Sequence, residues 1–193
     1  MADEDAGDGG DDPGSIGAEG RDGDVGHALT VPSRLMSDQK VEQQWETPSY
    51  EEIPEITKGH VAGMEASDAD EVWCVAGMHH ILIHTIGRKS GNEHKIALPT
   101  WNDPGGHRIV AGSFAGHEKH PAWFLNIRDR KEPEVLCRVQ GKRFWSVPEI
   151  LEGDEYQRIW DLFVQDRAWY TDYQAKTARR IPLVRFPETR PAD

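Results

Sequence analysis

From residue 72 to the end of the chain, short runs of β-branched and aromatic residues alternate with turns rich in Gly, Pro, Asn and Ser. Runs of this length, bounded by turn formers, are typical of strands that pair with their sequence neighbours. We expect strands at residues 72–75, 81–86, 95–101, 108–112, 135–139, 143–147 and 181–186. Such a meander predicts an antiparallel sheet that closes into a small barrel, because closure removes exposed sheet edges.

Two later segments have helical spacing instead. Pro121 is suited to the first position of a helix, and Trp123, Phe124 and Ile127 follow on one face. Residues 155–164 repeat apolar side chains every three to four positions. The predicted fold class is therefore mainly β with inserted helices. One such domain is expected, because 193 residues are too few for two ordinary ones.

The amino end differs in composition from the rest. Residues 1–26 hold nine acidic residues and one Arg, a net charge of −8, and have almost no apolar surface to bury. Such a segment cannot offset the entropy lost on ordering, so we expect a disordered acidic tail. Residues 27–70 contain three prolines and are expected to form an irregular or short helical lead-in. The β domain is then predicted over residues 71–187.

Charge and cysteine usage exclude several classes of function. Without the tail the net charge is only −4, which argues against nucleic acid as a partner, since duplex binding needs clustered cations. Cys74 and Cys137, the only cysteines, lack the spacing of a zinc or redox pair, so a cytoplasmic protein is expected. No apolar stretch approaches the roughly 20 residues of a membrane span, which leaves only peripheral membrane contact open.

The turn Gly87-Arg88-Lys89-Ser90-Gly91 places two cations and a hydroxyl between two predicted strands. Such groups, with backbone N–H donors, can converge on phosphate or carboxylate oxygens. The same residue types are ordinary in a solvated hairpin turn, so this pentapeptide alone leaves both interpretations open.

A second loop candidate is the run Ala111-Gly112-Ser113-Phe114-Ala115-Gly116, which leaves a predicted strand and is mostly small residues. Small residues let the backbone lie flat against a planar ring and donate N–H groups to it. The helix expected from Pro121 would favour an anion or an electron-rich ring edge nearby. A tight corner without a ligand is the alternative interpretation.

Metal and hydrolytic chemistry have less support. His80 and His84 lie in one predicted strand, about 13 Å apart at strand rise, which is too far for one ion. The polar loop at residues 117–120 offers too few ligands, so no metal site is predicted. No Ser-His-Asp arrangement with a nucleophile elbow is present, which argues against hydrolysis.

Two tyrosines are candidates for a ligand pocket. A single aromatic residue is more often core than ligand contact. Tyr170 and Tyr173, however, lie in a polar stretch after the last predicted helix, where buried core aromatics are less expected.

Three motifs follow one another along the chain: Thr-Ile-Gly-Arg-Lys-Ser-Gly at 85–91, His-Pro-Ala-Trp-Phe-Leu-Asn-Ile at 120–127, and Tyr-Thr-Asp-Tyr-Gln at 170–174 with Arg-Arg-Ile-Pro at 179–182. Together they resemble the deazaflavin-dependent nitroreductase and quinone reductase family, whose members use reduced coenzyme F420. The order and spacing of the motifs match as well. The resemblance implies a flavin-reductase-like split β-barrel that passes a hydride from the coenzyme to a quinone- or nitroaromatic-like acceptor.

The resemblance also implies residue roles. The coenzyme phosphate and tail would be held by Arg88, Lys89 and Ser90, to which we add Lys119. The ring would be bordered by Gly112, Ser113 and Ala115, with a wall formed by Pro121, Trp123 and Asn126. Catalytic roles fall to Ser113, Tyr170 and Tyr173, since a phenol can hydrogen-bond an acceptor oxygen as negative charge develops on it.

The chain departs from the family pattern in two places. Phe114, Ala115 and Gly116 stand where the family usually has a Lys and two glycines, so one phosphate contact is expected to be missing. His94 stands where a basic residue is usual. An FMN-binding split barrel is one alternative function, and a non-catalytic carrier of the coenzyme or a lipid, favoured by Phe114, is the other. The oligomeric state is left open.

Overall fold

The structure, a computed structural model, describes residues 39–193. The helices are α1 Glu52–Ala66, α2 Asp70–Trp73, α3 Ala122–Arg128, α4 Gly153–Asp166 and α5 Trp169–Ala175, with a 3-10 turn at Phe114–Gly116. The strands are β1 Cys74–Val75, β2 Met78–Ile86, β3 Glu93–Pro99, β4 Trp101–Asn102, β5 Arg108–Ala111, β6 Val135–Val139, β7 Lys142–Ser146, β8 Glu149–Ile150, β9 Leu183–Phe186 and β10 Arg190–Pro191. The disordered tail predicted for residues 1–26 lies outside the described residues.

These strands form two antiparallel sheets. The first has the order β1-β2-β6-β7-β10, and β3 pairs with the edge of β2 opposite to β6. The second has the order β4-β5-β9-β8. The predicted mainly β fold with inserted helices is confirmed. Within residues 39–193, however, the strands do not close into one barrel, so the expectation of closure is wrong. The chain leaves the first sheet after Pro99, and the two-residue β4 already belongs to the second.

The sheets are held together by a shared core. Ile83 and Phe144 from the first sheet and Val184 from the second belong to one cluster of buried side chains, together with Phe124 and Ile127 of α3. Burial of such side chains stabilises the fold by about 1.5–3 kcal/mol each. Helix α3 is thereby fixed against β2, close to the turn that follows this strand.

Two sequence predictions need correction. Residues 72–75 were expected to be a strand, but α2 ends at Trp73 and only two residues of β1 follow. The Trp73 indole is buried and donates from Nε1 to the carbonyl oxygen of Ser67 at 2.8 Å, which fixes the helical turn despite its β-branched residues. The polar stretch around Tyr170 and Tyr173 is helix α5, and both tyrosines lie on its buried side.

The described part of the lead-in packs on the domain. Helix α1 lies against β3, and its Met64 is fully buried with Trp73. Before α1, Val41 and Trp45 pack on the core formed with α4 and α5. The Val41 N–H donates to the carbonyl oxygen of Asp166 at 3.0 Å. The boundary between residues 70 and 71 remains a prediction.

Candidate functional site

The cationic turn at residues 87–91 joins β2 to β3 and stands between two clefts of about 710 and 320 Å³. Six residues line both clefts and would contact a ligand bound in either of them: Thr85, Gly87, Arg88, Lys89, Ser90 and Asn126. Four of these six, Arg88, Lys89, Ser90 and Asn126, are among the predicted coenzyme-binding residues. The fold thus brings the turn and α3, which are distant in sequence, to one place.

The shape of the turn depends on its glycines and on Ser90. A Cβ at Gly87 would lie 2.5 Å from the Ser90 Oγ and 2.8 Å from the His94 Nε2, so any other residue there would force these two side chains to move. Gly91 has a φ of +72°, which glycine adopts at low cost. The Ser90 Oγ accepts a hydrogen bond from the Asn92 N–H at 3.2 Å. Its own hydroxyl proton remains available to a ligand.

Asn126, only 6% exposed, anchors the turn to α3. Its Oδ1 accepts hydrogen bonds from the backbone N–H and the guanidinium of Arg88, at 3.2 and 3.3 Å. Its Nδ2 donates to the Thr85 Oγ1 at 3.3 Å, and that hydroxyl donates to the carbonyl oxygen of His94. The Arg88 Nε also lies 3.7 Å from the Asp129 carboxylate. Arg88 is therefore oriented before any ligand arrives.

Lys89 is less constrained than Arg88. Lys89 makes no ion pair within residues 39–193, whereas Arg88 forms an ion pair with Asp129. An exposed ammonium next to an oriented guanidinium suits a ligand with several negative charges, because charge-assisted hydrogen bonds to oxygen are the strong ones.

The loop after β5 has an unusual backbone. Phe114 and Ala115 have φ values of +47° and +50°, in the left-handed region that costs non-glycine residues about 1–3 kcal/mol each. Gly116 follows with a φ of +85°, and a Cβ there would lie 2.6 Å from the carbonyl oxygen of Tyr173. The loop is therefore pressed against α5. Gly112 is held at its start by a hydrogen bond to the carbonyl oxygen of Pro182.

The structure connects some of the other predicted site residues to this turn. Trp123 lines the smaller cleft, and its Cζ2 would lie 3.6 Å from a Cβ placed on Gly112. Gly112, Ser113 and Ala115 are buried. Neither cleft is lined by these three, by Pro121 or by Lys119.

Tyr170 and Tyr173 lie away from both clefts. They are 7% and 8% exposed, and they belong to a core cluster that also contains Ala115. Burial raises the pKa of both phenols. The Tyr173 hydroxyl lies 3.1 Å from the Thr47 Oγ1, and the ring centroids of the two tyrosines are 5.5 Å apart. The expectation of an exposed polar stretch is therefore wrong at these positions.

Two residues with roles in this region were missed by sequence reasoning. Thr47 lies in the lead-in, where nothing in the sequence signals a contact with Tyr173. Arg179 belongs to the third motif, but its contacts with the loop after β5 depend on the fold. Its guanidinium donates to the carbonyl oxygens of Gly112, Ser113 and His117 at 3.1, 2.6 and 2.9 Å.

Within the described part of the chain, no group of three or more His, Cys, Asp or Glu residues is placed to hold a metal ion. His84 pairs instead with Glu93 at 2.9 Å, and His80 packs against His60. No helix among residues 39–193 combines the length and apolar character needed to cross a membrane.

Comparison with known proteins identifies the family of this chain. The family described as F420H(2)-dependent quinone reductase matches residues 56–186, more than half of the chain. The chain belongs to this family. The predicted family, the enzyme class of F420H2-dependent oxidoreductases, and coenzyme F420 as the cofactor are thereby confirmed. The matched range includes the turn, α3, the loop after β5 and α5.

The names of two relatives agree with this assignment. F420H(2)-dependent quinone reductases from two strains of Mycobacterium tuberculosis, CDC 1551 and H37Rv, are each 32% identical over 107 residues. That stretch is 54% of this chain and 70% of each relative. A solved structure described as an F420-H2 dependent reductase is 30% identical, with a TM-score of 0.49, over 56% of this chain and 93% of that one.

Proposed function

We propose that this chain is a split β-barrel enzyme that passes a hydride from reduced coenzyme F420 to a quinone, with nitroaromatic compounds as a second class of acceptor. The observation that carries the proposal is the convergence of Arg88, Lys89 and Ser90 with Asn126 between two clefts. The coenzyme, when bound, supplies the hydride chemistry, and the protein supplies binding, orientation and electrostatics. We assign this task to residues 71–187.

On the coenzyme side, Arg88, Lys89 and Ser90 would hold the negatively charged phosphate and glutamyl tail. These residues fit such a group, because Lys89 makes no ion pair within residues 39–193 and Ser90 keeps a hydroxyl proton to donate. Asn126 would act by holding Arg88 in place. Lys119 stays a proposed tail contact, supported only by its place in the loop that precedes α3.

The deazaflavin ring would lie against Gly112, Ser113 and Ala115. Trp123 and Pro121, at the start of α3, would form one wall of the ring site. Ser113 is well suited to this position. Within residues 39–193 neither its hydroxyl nor its backbone N–H donates a hydrogen bond, although the residue is buried. Both groups can therefore donate to a ring that lies against this loop.

The acceptor would lie on the side of the ring that faces α5. Ala115, which would border the ring, belongs to the same core cluster as Tyr170 and Tyr173, so the two phenols would lie near the ring. A phenol that donates to an acceptor oxygen stabilises the negative charge that develops there. The Tyr173 hydroxyl is held in place by its contact with the Thr47 Oγ1, in which either oxygen can be the donor.

An anaerobic assay tests the proposal. Purified protein is titrated with oxidised F420 and, separately, with FMN, and is then supplied with reduced F420 and menadione. We expect saturable binding of F420, weaker binding of FMN, and menadione-dependent oxidation of the reduced coenzyme. Binding of F420 without turnover would favour a carrier, and preference for FMN would contradict the proposal.

A further inference from the structure

Arg179 holds the loop after β5 through three carbonyl oxygens. Its Nη1, Nη2 and Nε donate to Gly112, Ser113 and His117, at 3.1, 2.6 and 2.9 Å. These carbonyls stand on both sides of Phe114 and Ala115, the two residues with positive φ. One planar guanidinium thus spans the strained part of the loop, and its rigid fork of donors is suited to doing so.

The backbone of Arg179 is itself fixed. The Gln174 side chain donates to the Arg179 carbonyl oxygen at 2.9 Å and accepts from the Ile181 N–H at 2.8 Å. The Arg179 N–H donates to the Thr177 Oγ1 at 3.3 Å. Helix α5 and the segment before β9 therefore hold the guanidinium rigidly over the loop.

The geometry of the peptide bond gives this arrangement a consequence on the other side of the loop. In a trans peptide the C=O of one residue and the N–H of the next point in opposite directions. Because Arg179 draws the carbonyls of Gly112 and Ser113 towards itself, the N–H groups of Ser113 and Phe114 point away from it. Within residues 39–193 neither N–H donates a hydrogen bond.

We propose that Arg179 is a positioning residue for the coenzyme ring, an inference that rests on the proposed function. By fixing the carbonyls it presents the N–H groups of Ser113 and Phe114 as a pair of donors to an electron-rich edge of the deazaflavin. Paired backbone donors of this kind form binding sites for anionic or electron-rich groups. Arg179 itself touches neither ring nor tail.

Two probes separate ring binding from tail binding. F420 carries the ring, the phosphate and the glutamyl tail, whereas 8-hydroxy-5-deazariboflavin carries the ring without phosphate or tail. Arg179→Lys keeps the positive charge but cannot span three carbonyls. We expect Arg179→Lys to lower the affinity for both probes by the same factor, about tenfold or more. This is the typical effect of losing a hydrogen bond to a charged group. The absorption maximum of the bound ring should shift as well.

The neighbouring Arg180 provides the matched control. Its guanidinium lies 4.4 Å from the centre of the Tyr156 ring, and it makes no hydrogen bond to the loop within the described residues. Arg180→Lys should leave the affinity of both probes and the absorption maximum unchanged. Arg88→Ala should lower the affinity for F420 and leave the affinity for the ring-only probe unchanged.

A second variant keeps the test decisive should Arg179→Lys not fold. Ser113 has a φ of −71°, which proline adopts, so Ser113→Pro removes the N–H directly, and Ser113→Ala controls for the lost hydroxyl. We expect Ser113→Pro to weaken the ring-only probe more than Ser113→Ala does. Equal effects of these two variants would overturn the inference.

The remaining outcomes are also informative. Wild-type affinity of Arg179→Lys for the ring-only probe would overturn the inference, and so would a loss confined to F420, which would make Arg179 a tail contact. Binding of F420 but not of the ring-only probe by the wild-type protein would overturn it too. Failure of the wild-type protein to bind F420 would instead contradict the proposed function.

Discussion

The turn at residues 87–91 and helix α5 both carry residues proposed to act in one reaction, but their surroundings are opposite. Arg88 and Lys89 are exposed over two clefts, whereas Tyr170 and Tyr173 are packed among other aromatic side chains. A residue in the first setting contributes mainly to binding, while one in the second contributes also to stability. The two regions should therefore respond differently to the same kind of substitution.

The largest expected effect concerns the packing of α5. Tyr170→Ala removes a ring that contacts Phe163 and Tyr173, with centroids 4.6 and 5.5 Å away. Truncation of a buried aromatic side chain costs about 3–5 kcal/mol in the free energy of unfolding. Urea unfolding measures it, and Lys89→Ala, as the exposed counterpart, should change the free energy of unfolding by less than about 0.5 kcal/mol. Similar losses in both variants would remove the contrast between the two regions.

The second effect concerns the affinity of the turn. Arg88→Ala with Lys89→Ala should weaken F420 binding by about 2–4 kcal/mol, since each removes a charge-assisted contact. The loss should be larger at low than at high salt, because ions screen exposed charges. Fluorescence titration measures it.

Lys58→Ala with Arg143→Ala is the matched control for the turn, as it removes two positive charges from positions that line neither cleft. Its F420 affinity should equal that of the wild type. An equal loss in the control pair would mean that net charge rather than the turn attracts the coenzyme.

The contrast between turn and helix also explains what the sequence could predict. The turn is contiguous, so its cations, hydroxyl and glycines are visible together in five residues. The longer strands and α3 follow from local periodicity, whereas the two-residue strands do not. Helix α5 was not predicted, because the polar residues Thr171, Asp172 and Gln174 lie between the aromatic residues. In the structure the aromatic residues form the buried face of a short helix. The contact of Thr47 with Tyr173 joins residues 126 positions apart, and no local pattern encodes it.

Acid should lower the stability of the fold through His80, which lies in β2 and packs against His60 of α1. Burial, with the nearby His60, lowers the pKa of His80 from 6.5 to about 4. Below pH 6.5 His80 therefore binds a proton in the unfolded chain but not in the folded chain. The free energy of unfolding falls as the pH drops from 6.5 towards 4. By pH 5 the loss attributable to this group is on the order of 2 kcal/mol.

Urea unfolding at pH 7 and pH 5 measures this dependence. His80→Asn should flatten the slope of stability against pH, while His107→Asn, at an exposed position, should keep it. An unchanged slope in His80→Asn would show that other groups cause the loss in acid.

The smallest expected effect lies in turnover. Replacing Tyr170 and Tyr173 with Phe keeps the rings and removes the hydroxyls, so F420 affinity should stay near that of the wild type. The rate with menadione should fall about tenfold or more, which corresponds to roughly 1.4 kcal/mol in the barrier. Unchanged turnover with a lower melting temperature would assign both tyrosines to the core alone.

The central claim is that the turn binds the coenzyme while α5 serves the acceptor, and single-turnover kinetics in a double-mutant cycle tests it most directly. The four proteins are the wild type, the Ala pair at Arg88 and Lys89, the Phe pair at Tyr170 and Tyr173, and the combination. Reduced F420 is varied at saturating menadione. We predict that the coenzyme dissociation constant changes only with the Ala pair, that the limiting rate changes only with the Phe pair, and that the combined variant shows the sum in free energy. A change of both quantities by either pair alone would contradict the account.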